Sequence, residues 1–382
     1  MKKVLLSLLT VVPLVSCTTA SIPTINQLKV ASKGHFSDAQ LNYLSSDNYT
    51  DTTPYNGNMS VSKPLPINIS WENLENKAYK VEIYHDQSCN DSSLITSYVV
   101  EGNAFDFYNP EFNKEYYVKV VSKENEKITA QSEVVSFEEI PAVPGPRNLF
   151  VDGVENFRDI GGWGKFVNNQ YQTYMKQGML YRSGRFNEDS VEQVNVTITN
   201  NGLQEINNHL KIKTEIDLRR TSTNEVGALT NKSPLGDNVN YIQIPMAFGG
   251  KNILTFKGTL SNDSYQYDNP SAIKNFFEVL ANENNYPINF HCSIGKDRTG
   301  CMAYLIEGLL GFNEEDMCRD YMFTNFADAG MCKISDINDR YGDTISKYEN
   351  GNTINEKIYN YLNEVIGVSK DNLDKIINIL KA

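Results

Sequence analysis

Residues 288–300 read Ile288-Asn289-Phe290-His291-Cys292-Ser293-Ile294-Gly295-Lys296-Asp297-Arg298-Thr299-Gly300, and the chain is best understood outward from them. Ile288 to His291 has the apolar, aromatic content of a short strand, while Thr299 to Leu310 is apolar and long enough for a helix. A loop therefore links a strand that ends at the cysteine to a helix that starts at Arg298. Such a loop aims successive backbone N–H groups inward, and the helix N-terminus adds about half a positive charge. The cavity suits a phosphate dianion. It also favours a thiolate, lowering the cysteine pKa from its free value of about 8.5.

These residues divide the chemistry among them. Cys292 is the candidate nucleophile, and the planar fork of Arg298 can grip two phosphate oxygens. Ser293, Ile294, Gly295, Lys296 and Thr299 form the candidate phosphate cradle. Gly295 allows the backbone to turn where a side chain would obstruct it. The Thr299 hydroxyl can donate to the sulfur. Lys296 is either a second cation for the site or a solvated surface lysine. His291 is expected to hydrogen-bond backbone and fix Cys292 rather than transfer protons. Cys301 reads as a buried helix residue, close enough to the loop to permit a disulfide with Cys292. No cofactor or metal is called for.

Around this loop, strands alternate with helices. Thr214 to Leu218 reads as a strand; Ser271 to Leu280, Lys357 to Ile366 and Leu373 to Leu380 read as amphipathic helices. This is an α/β layout, a central sheet flanked by helices, spanning residues 149–382. Residues 141–148 contain Pro141, Pro144 and Pro146 and form a stiff linker. Before it, residues 65–140 hold short alternating runs, Ile67 to Trp71, Tyr79 to Tyr84 and Tyr116 to Val120, that predict a small all-β sandwich. That module resembles an immunoglobulin or fibronectin type III domain, but the spacing is stretched by two residues near Asn109-Pro110. Residues 17–64 are polar and read as a tether with one possible strand, Ile25 to Val30.

Lys2 and Lys3, the apolar run Val4 to Val15 and then Leu14-Val15-Ser16-Cys17 form an N-terminal export signal too short to span a bilayer. Leu-Val-Ser-Cys resembles the bacterial lipobox. On that reading residues 1–16 are a cleaved signal peptide, Cys17 is lipidated, and the protein is anchored to the bacterial membrane facing outside the cytoplasm. A plain secretory signal is the alternative. Of the other five cysteines, Cys89, Cys292, Cys301, Cys318 and Cys332, an odd one is left over, so at least one thiol is free. Cys318 and Cys332 could be bridged. The net charge of −12 over 382 residues excludes a broad basic face and argues against nucleic acid as a partner.

His-Cys-x5-Arg-Thr-Gly resembles the signature of the protein tyrosine phosphatase superfamily, and Gly295-Lys296-Asp297-Arg298-Thr299-Gly300 resembles its atypical bacterial branch. Further segments match in order: Asn156-Phe157-Arg158-Asp159-Ile160-Gly161-Gly162, Leu180-Tyr181-Arg182-Ser183-Gly184, Ile216-Asp217-Leu218-Arg219, Asp320-Tyr321 with Thr324-Asn325, and Gly367-Val368-Ser369. The resemblance implies two steps, a phosphocysteine formed on Cys292 and its hydrolysis by water. It also implies a phosphorylated protein or a phosphoinositide as substrate. Asp297 is the favoured proton donor, with Asp263 and Asp268 as upstream candidates. Asp217 and Arg219 either orient the loop or form a buried ion pair, and Asp159 is expected to support the site. The competing readings are an inositol-polyphosphate phosphatase, a surface-binding lipoprotein with a vestigial phosphatase domain, and a sulfur transferase.

Overall fold

The computed structural model describes residues 22–382, apart from 33, 56–62, 73, 75–77, 126, 138–139, 141, 143, 168–169, 189–196, 222, 249–251, 262 and 328–330. The export signal and Cys17 lie outside the described residues.

The N-terminal half is strand-rich. One sheet runs β1 (Thr24–Ile25), β8 (Lys127–Ser132), β7 (Tyr116–Glu124), β4 (Tyr79–Tyr84), β5 (Leu94–Val100), with β9 (Val135–Phe137) also on β7. A second runs β2 (Lys29–Ser32), β3 (Ile67–Ser70), β6 (Ala104–Phe107). Ile67, Ile69 and Phe107 of the smaller sheet and Val81, Ile83, Val118 and Val120 of the larger are buried in one core. Alternation along β3 and β7 produces this: every second side chain turns inward. The single strand expected over Ile25 to Val30 is split. Gln27, at φ +57°, turns the chain so that β1 joins one sheet and β2 the other.

Part of the expected tether is structured in another way. Helix α1 (Asp38–Leu44) starts with a capping box in which Ser37 and Gln40 bond each other's amides. It buries Tyr43 and Leu44, with Tyr43 against Phe326 of the C-terminal half. Arg319 donates to the carbonyls of Tyr43 and Ser46.

The C-terminal half is built on a six-stranded sheet, β10 (Arg147–Asn148), β11 (Arg158–Asp159), β14 (Leu180–Ser183), β19 (Ile288–His291), β15 (Thr214–Asp217), β16 (Asn240–Gln243). Its first strand takes up the last two residues of the expected linker. The four strands β14, β19, β15 and β16 are parallel, and Ser183, His291, Asp217 and Gln243 sit in one register row at their carboxyl ends. In open parallel sheets, ligands bind beyond that row. Two hairpins, β12 (Gly164–Val167) with β13 (Gln170–Thr173) and β17 (Lys257–Gly258) with β18 (Tyr267–Asp268), lie off this sheet. The helices are α2 (Asn200–Gln204), α3 (Asn269–Leu280), α4 (Asp297–Leu309), α5 (Glu314–Phe323), α6 (Ile334–Ile337), α7 (Asp343–Ser346), α8 (Ile354–Tyr361) and α9 (Lys370–Leu380).

Helix α4 is buried along its whole length, because α5, α8 and the sheet enclose it. It begins at Asp297, one residue before the expected start. The expected helix over Lys357 to Ile366 is α8 followed by a wider turn that ends at Gly367, whose φ of +83° is the left-handed conformation of a helix stop. Ser369 then caps α9, so Gly367-Val368-Ser369 is a helix stop and start.

The two halves share buried hydrogen bonds. Asn109 exchanges two bonds with the backbone of Phe150, each 2.7 Å, and Arg147 donates to the carbonyls of Asn109 and Pro110. The stretched spacing at Asn109-Pro110 therefore falls where the first half grips the second.

Candidate active site

The loop after β19 is shaped from outside. Four consecutive carbonyls each face a nitrogen, from His291 itself, from β14 and the segment after it, and from Asn156. His291 Nδ1 lies 3.1 Å from the Cys292 carbonyl, and the Arg185 amide donates to Ser293 O at 2.9 Å. Asn156 Nδ2 donates to Ile294 O at 3.1 Å, and Arg182 donates to Gly295 O at 2.8 Å. These bonds hold the carbonyls of residues 292–295. Among the described residues, no backbone carbonyl accepts from the amides of Ile294, Gly295 or Lys296. Gly295 has φ +72°, and a Cβ there would lie 2.5 Å from the Ser183 carbonyl oxygen, so only glycine fits against the end of β14.

Cys292 is buried at the base of this loop. Arg298 is fixed by Glu225, which accepts from its guanidinium, at 2.9 Å for one of the two bonds; Leu218 O accepts a third at 3.3 Å. Burial opposes the charge on Arg298, but Glu225 outweighs it and raises the guanidinium pKa above its ordinary value. Burial likewise pushes the Glu225 carboxyl up, and Arg298 and Arg220 bring it below its ordinary value. The Arg298 Nε and the Thr299 hydroxyl are buried without a hydrogen-bond partner among the described residues. Unpaired buried donors beside three open amides are what an anion site presents before its anion arrives.

The model of the tyrosine phosphatase family matches residues 149–382. The chain belongs to that family. "Putative tyrosine-protein phosphatase OCA1" of Debaryomyces hansenii is 29% identical over 100 residues, 24% of this chain and 48% of the relative. The protein of the same name from Meyerozyma guilliermondii is 32% identical over 75 residues, 18% of this chain and 40% of the relative. The chain thus spans less than half the length of these curated relatives. Among solved structures, it is similar to the core catalytic domain of the PP-IP phosphatase SIW14 from S. cerevisiae in complex with citrate. That likeness has 17% identity and TM-score 0.32, covering 52% of this chain and 93% of that one. It is also similar to TpbA of P. aeruginosa, at 18% identity and TM-score 0.26, covering 44% and 82%.

The signature loop rests on a lattice of buried charge. Asp320 accepts from both Arg158 and Arg182, and Arg158 also donates to Thr324 Oγ1 and to Asn156, the residue that holds Ile294. Burial works against the charge on Asp320, but the two guanidiniums bring its carboxyl below the ordinary range. Glu307 lies beside this group; burial and the Asp320 charge push its carboxyl well up. Thus the segments Asn156 to Asp159, Leu180 to Gly184 and Asp320 to Asn325 meet behind the loop.

Other expected residues occupy distinct positions. Asp217 and Arg219 form a buried ion pair, 2.7 Å at its shortest, and Tyr241 donates to Asp217 as well. Burial pushes the Asp217 carboxyl up, but His291 and Arg219 hold it well below its ordinary range. His291 reaches Glu215 at 2.9 Å through Nε2. Glu215, Asp217 and His291 bring three possible metal-ligand atoms within 4.8 Å of one another, yet these bonds already use all three side chains. Asp159 turns away from the loop: it pairs with Arg147 and accepts from the amides of Gly161 and Gly178. Its support goes to the join between the two halves.

The rim differs from expectation in two ways. The Lys296 ammonium bonds to Met331 O at 2.9 Å and lies 3.3 Å from Asp336, so it is directed to the rim rather than to the loop amides. Asp297 pairs with Arg340, which also pairs with Asp336 and lies 4.9 Å over the Phe248 ring. Of the upstream carboxylates, Asp268 caps α3 and pairs with Lys257, while Asp263 accepts from the Tyr267 hydroxyl at 2.6 Å. Burial pushes both carboxyls up, but together the bonds from Tyr267 and Tyr265 to Asp263, and from Ser271 and Lys257 to Asp268, bring both below their ordinary value. Cys292, Cys301, Cys318 and Cys332 are free buried thiols, and burial pushes Cys318 to about 12 and Cys332 to about 11. Sequence reasoning missed Glu225, Arg185 and Arg340. Glu225 meets Arg298 across 73 residues, and no local pattern marks such a pairing.

Proposed function

We propose that the protein is a cysteine-dependent phosphomonoester hydrolase that works through a phosphocysteine, on phosphotyrosine or phosphoinositide substrates. The observation that carries this reading is the loop at residues 292–298, with the carbonyls of residues 292–295 held, three amides open, and Arg298 fixed by Glu225. A phosphate in the cradle meets the Cys292 sulfur from below and the Arg298 fork at its equatorial oxygens. As the sulfur attacks phosphorus, the P–O bond to the leaving group breaks, and the open amides take up charge on the equatorial oxygens. Water then attacks the phosphocysteine and releases inorganic phosphate and the thiolate. No step calls for a metal.

The leaving oxygen takes its proton from Asp297 on this reading. Asp297 sits in the first turn of α4 next to Arg298, so an incoming phosphate dianion favours its protonated form, while Arg340 favours the carboxylate. Arg340 thereby sets the pH at which the acid works. The first half is read as an immunoglobulin-like sandwich that carries the phosphatase away from a lipid anchor at Cys17, outside the cytoplasm.

The test is phosphate release from a panel of phosphotyrosine peptides, phosphoserine peptides and phosphoinositides, with and without a chelator. Wild type should turn over the tyrosine or inositide substrates in chelator. Cys292→Ser should lose all turnover yet still bind the substrate. Activity that survives Cys292→Ser, or that depends on added metal, overturns the proposal.

A further inference from the structure

A cavity that shares no lining residue with the signature loop lies at the seam between the two halves. It has a volume of about 480 Å³ and is lined by β5, β6 and the residues after β6 on one side and by Phe150, Asp152 and the α2 region on the other. A cleft of this size at a domain boundary is a usual place for a small ligand.

Its walls have a definite chemistry. Tyr98 and Phe105 pair with ring centres 4.6 Å apart, and Tyr108 of the first half pairs with Phe150 of the second at the same spacing. Three carboxylates, Asp106, Asp152 and Glu205, stand among these rings, and no lysine, arginine or histidine lines the cavity among the described residues. Glu205 is fixed by the Tyr98 hydroxyl at 2.6 Å, by Asn109 at 2.7 Å and by His209 at 2.6 Å, so it shapes the wall while Asp106 and Asp152 offer the open carboxylates. Burial pushes the Glu205 carboxyl up, but His209 and these bonds bring it below its ordinary value, so it carries charge at neutral pH. Asp106 and Asp152 each hold one side-chain donor, Asn68 and Thr199, which orients the carboxylate and leaves lone pairs over. The fold itself shows what an aromatic wall here accepts: the Lys63 ammonium lies 4.0 Å from the centre of the Phe150 ring.

We propose that this cleft binds an alkylammonium chain with two or three charges, either a free polyamine or the lysine side chains of a peptide. Aromatic faces attract ammonium groups, and Asp106 and Asp152 add negative charge to a cleft whose lining residues include no cation, which disfavours phosphorylated ligands there. The proposal does not depend on the reaction proposed for Cys292.

The experiment is calorimetric titration of the full chain at about 0.15 M salt with spermidine, with the peptide acetyl-Lys-Lys-Lys-amide, and with neutral maltotriose. Spermidine or the peptide should bind saturably, one per chain, and which of them binds tells the source. Phe150→Leu should weaken that binding about fivefold, in line with the worth of an ammonium on a ring. Asp106→Asn with Asp152→Asn should weaken it at least about tenfold, while the melting temperature of both variants stays near that of wild type. The proposal is overturned by absence of saturable binding to either cation, by undiminished binding in folded variants, or by maltotriose binding in their place.

Discussion

The inner and outer sides of the signature loop use the same residue types under opposite conditions. On the inner side, Arg158, Arg182 and Asp320 are at most 2% exposed, and Glu225 and Arg298 are at most 5% exposed. On the outer side, Lys296, Asp297, Asp336 and Arg340 have side chains 11–20% exposed. A charge that loses its partner in the interior cannot recover water, so breaking a buried pair costs far more than breaking one near solvent. The inner lattice can therefore hold a backbone loop in one shape. The outer pairs can exchange partners when a phosphate arrives, which is what a proton donor needs. The difference lies in access to water, not in the residues.

The strongest challenge to that contrast is Asp320→Asn. It leaves Arg158 and Arg182 facing each other without a full counter-charge and should destabilise the protein by about 3–5 kcal/mol. In a thermal melt the transition should fall by roughly 10 °C, at 2–4 °C per kcal/mol for a domain of this size. A change below about 1 kcal/mol would mean that the lattice does not hold the loop.

Glu225→Gln sharpens the contrast on the inner side by loosening Arg298. The Arg298 fork loses its fixed direction, and kcat/KM should fall by about 10²-fold, comparable to loss of one preorganised donor. Steady-state kinetics with an aryl phosphate would show it, and an unchanged kcat/KM would remove Glu225 from the machinery.

Arg340→Gln probes the rim and should have the smallest effect on stability, below about 1 kcal/mol. Its effect appears in the pH profile. A proton donor is active only while protonated, so activity falls as pH rises through its pKa. If Asp297 is that donor, loss of the guanidinium favours its protonated form, and the basic limb of kcat should move to higher pH. If the limb moves instead in Asp263→Asn and stays in place here, the proton comes from the upstream loop.

The site was legible in part because its central loop is local in sequence. Strand, turn and helix follow one another over 291–300, and the need for a glycine at positive φ and for an arginine at the helix start are constraints on neighbouring residues. The family-ordered segments at 156–162, 180–184 and 320–325 were visible too, but their purpose was not. Their residues act by donating to carbonyls and to one another across 113 to 166 residues of chain, as Arg182 does to Gly295, Asn156 to Ile294 and Arg158 to Thr324. Residues 35–55 were misread as tether because their composition is polar. Gln40 and Thr52 are in fact buried, the one bonding Ser37 and the other Asn325.

The sequence by itself determined where the cysteine and the arginine of the signature loop stand and the alternation that makes the first half strands and the second half mixed. Each follows from covalent order and side-chain period, which need no knowledge of distant contacts. Only the tertiary structure decided which carboxylate holds Arg298, that Lys296 and Asp297 have partners on the rim, and that a cleft opens where Tyr108 meets Phe150. Those outcomes depend on which buried charges and rings folding brings together, and a buried group selects its partner by proximity rather than by place in the chain.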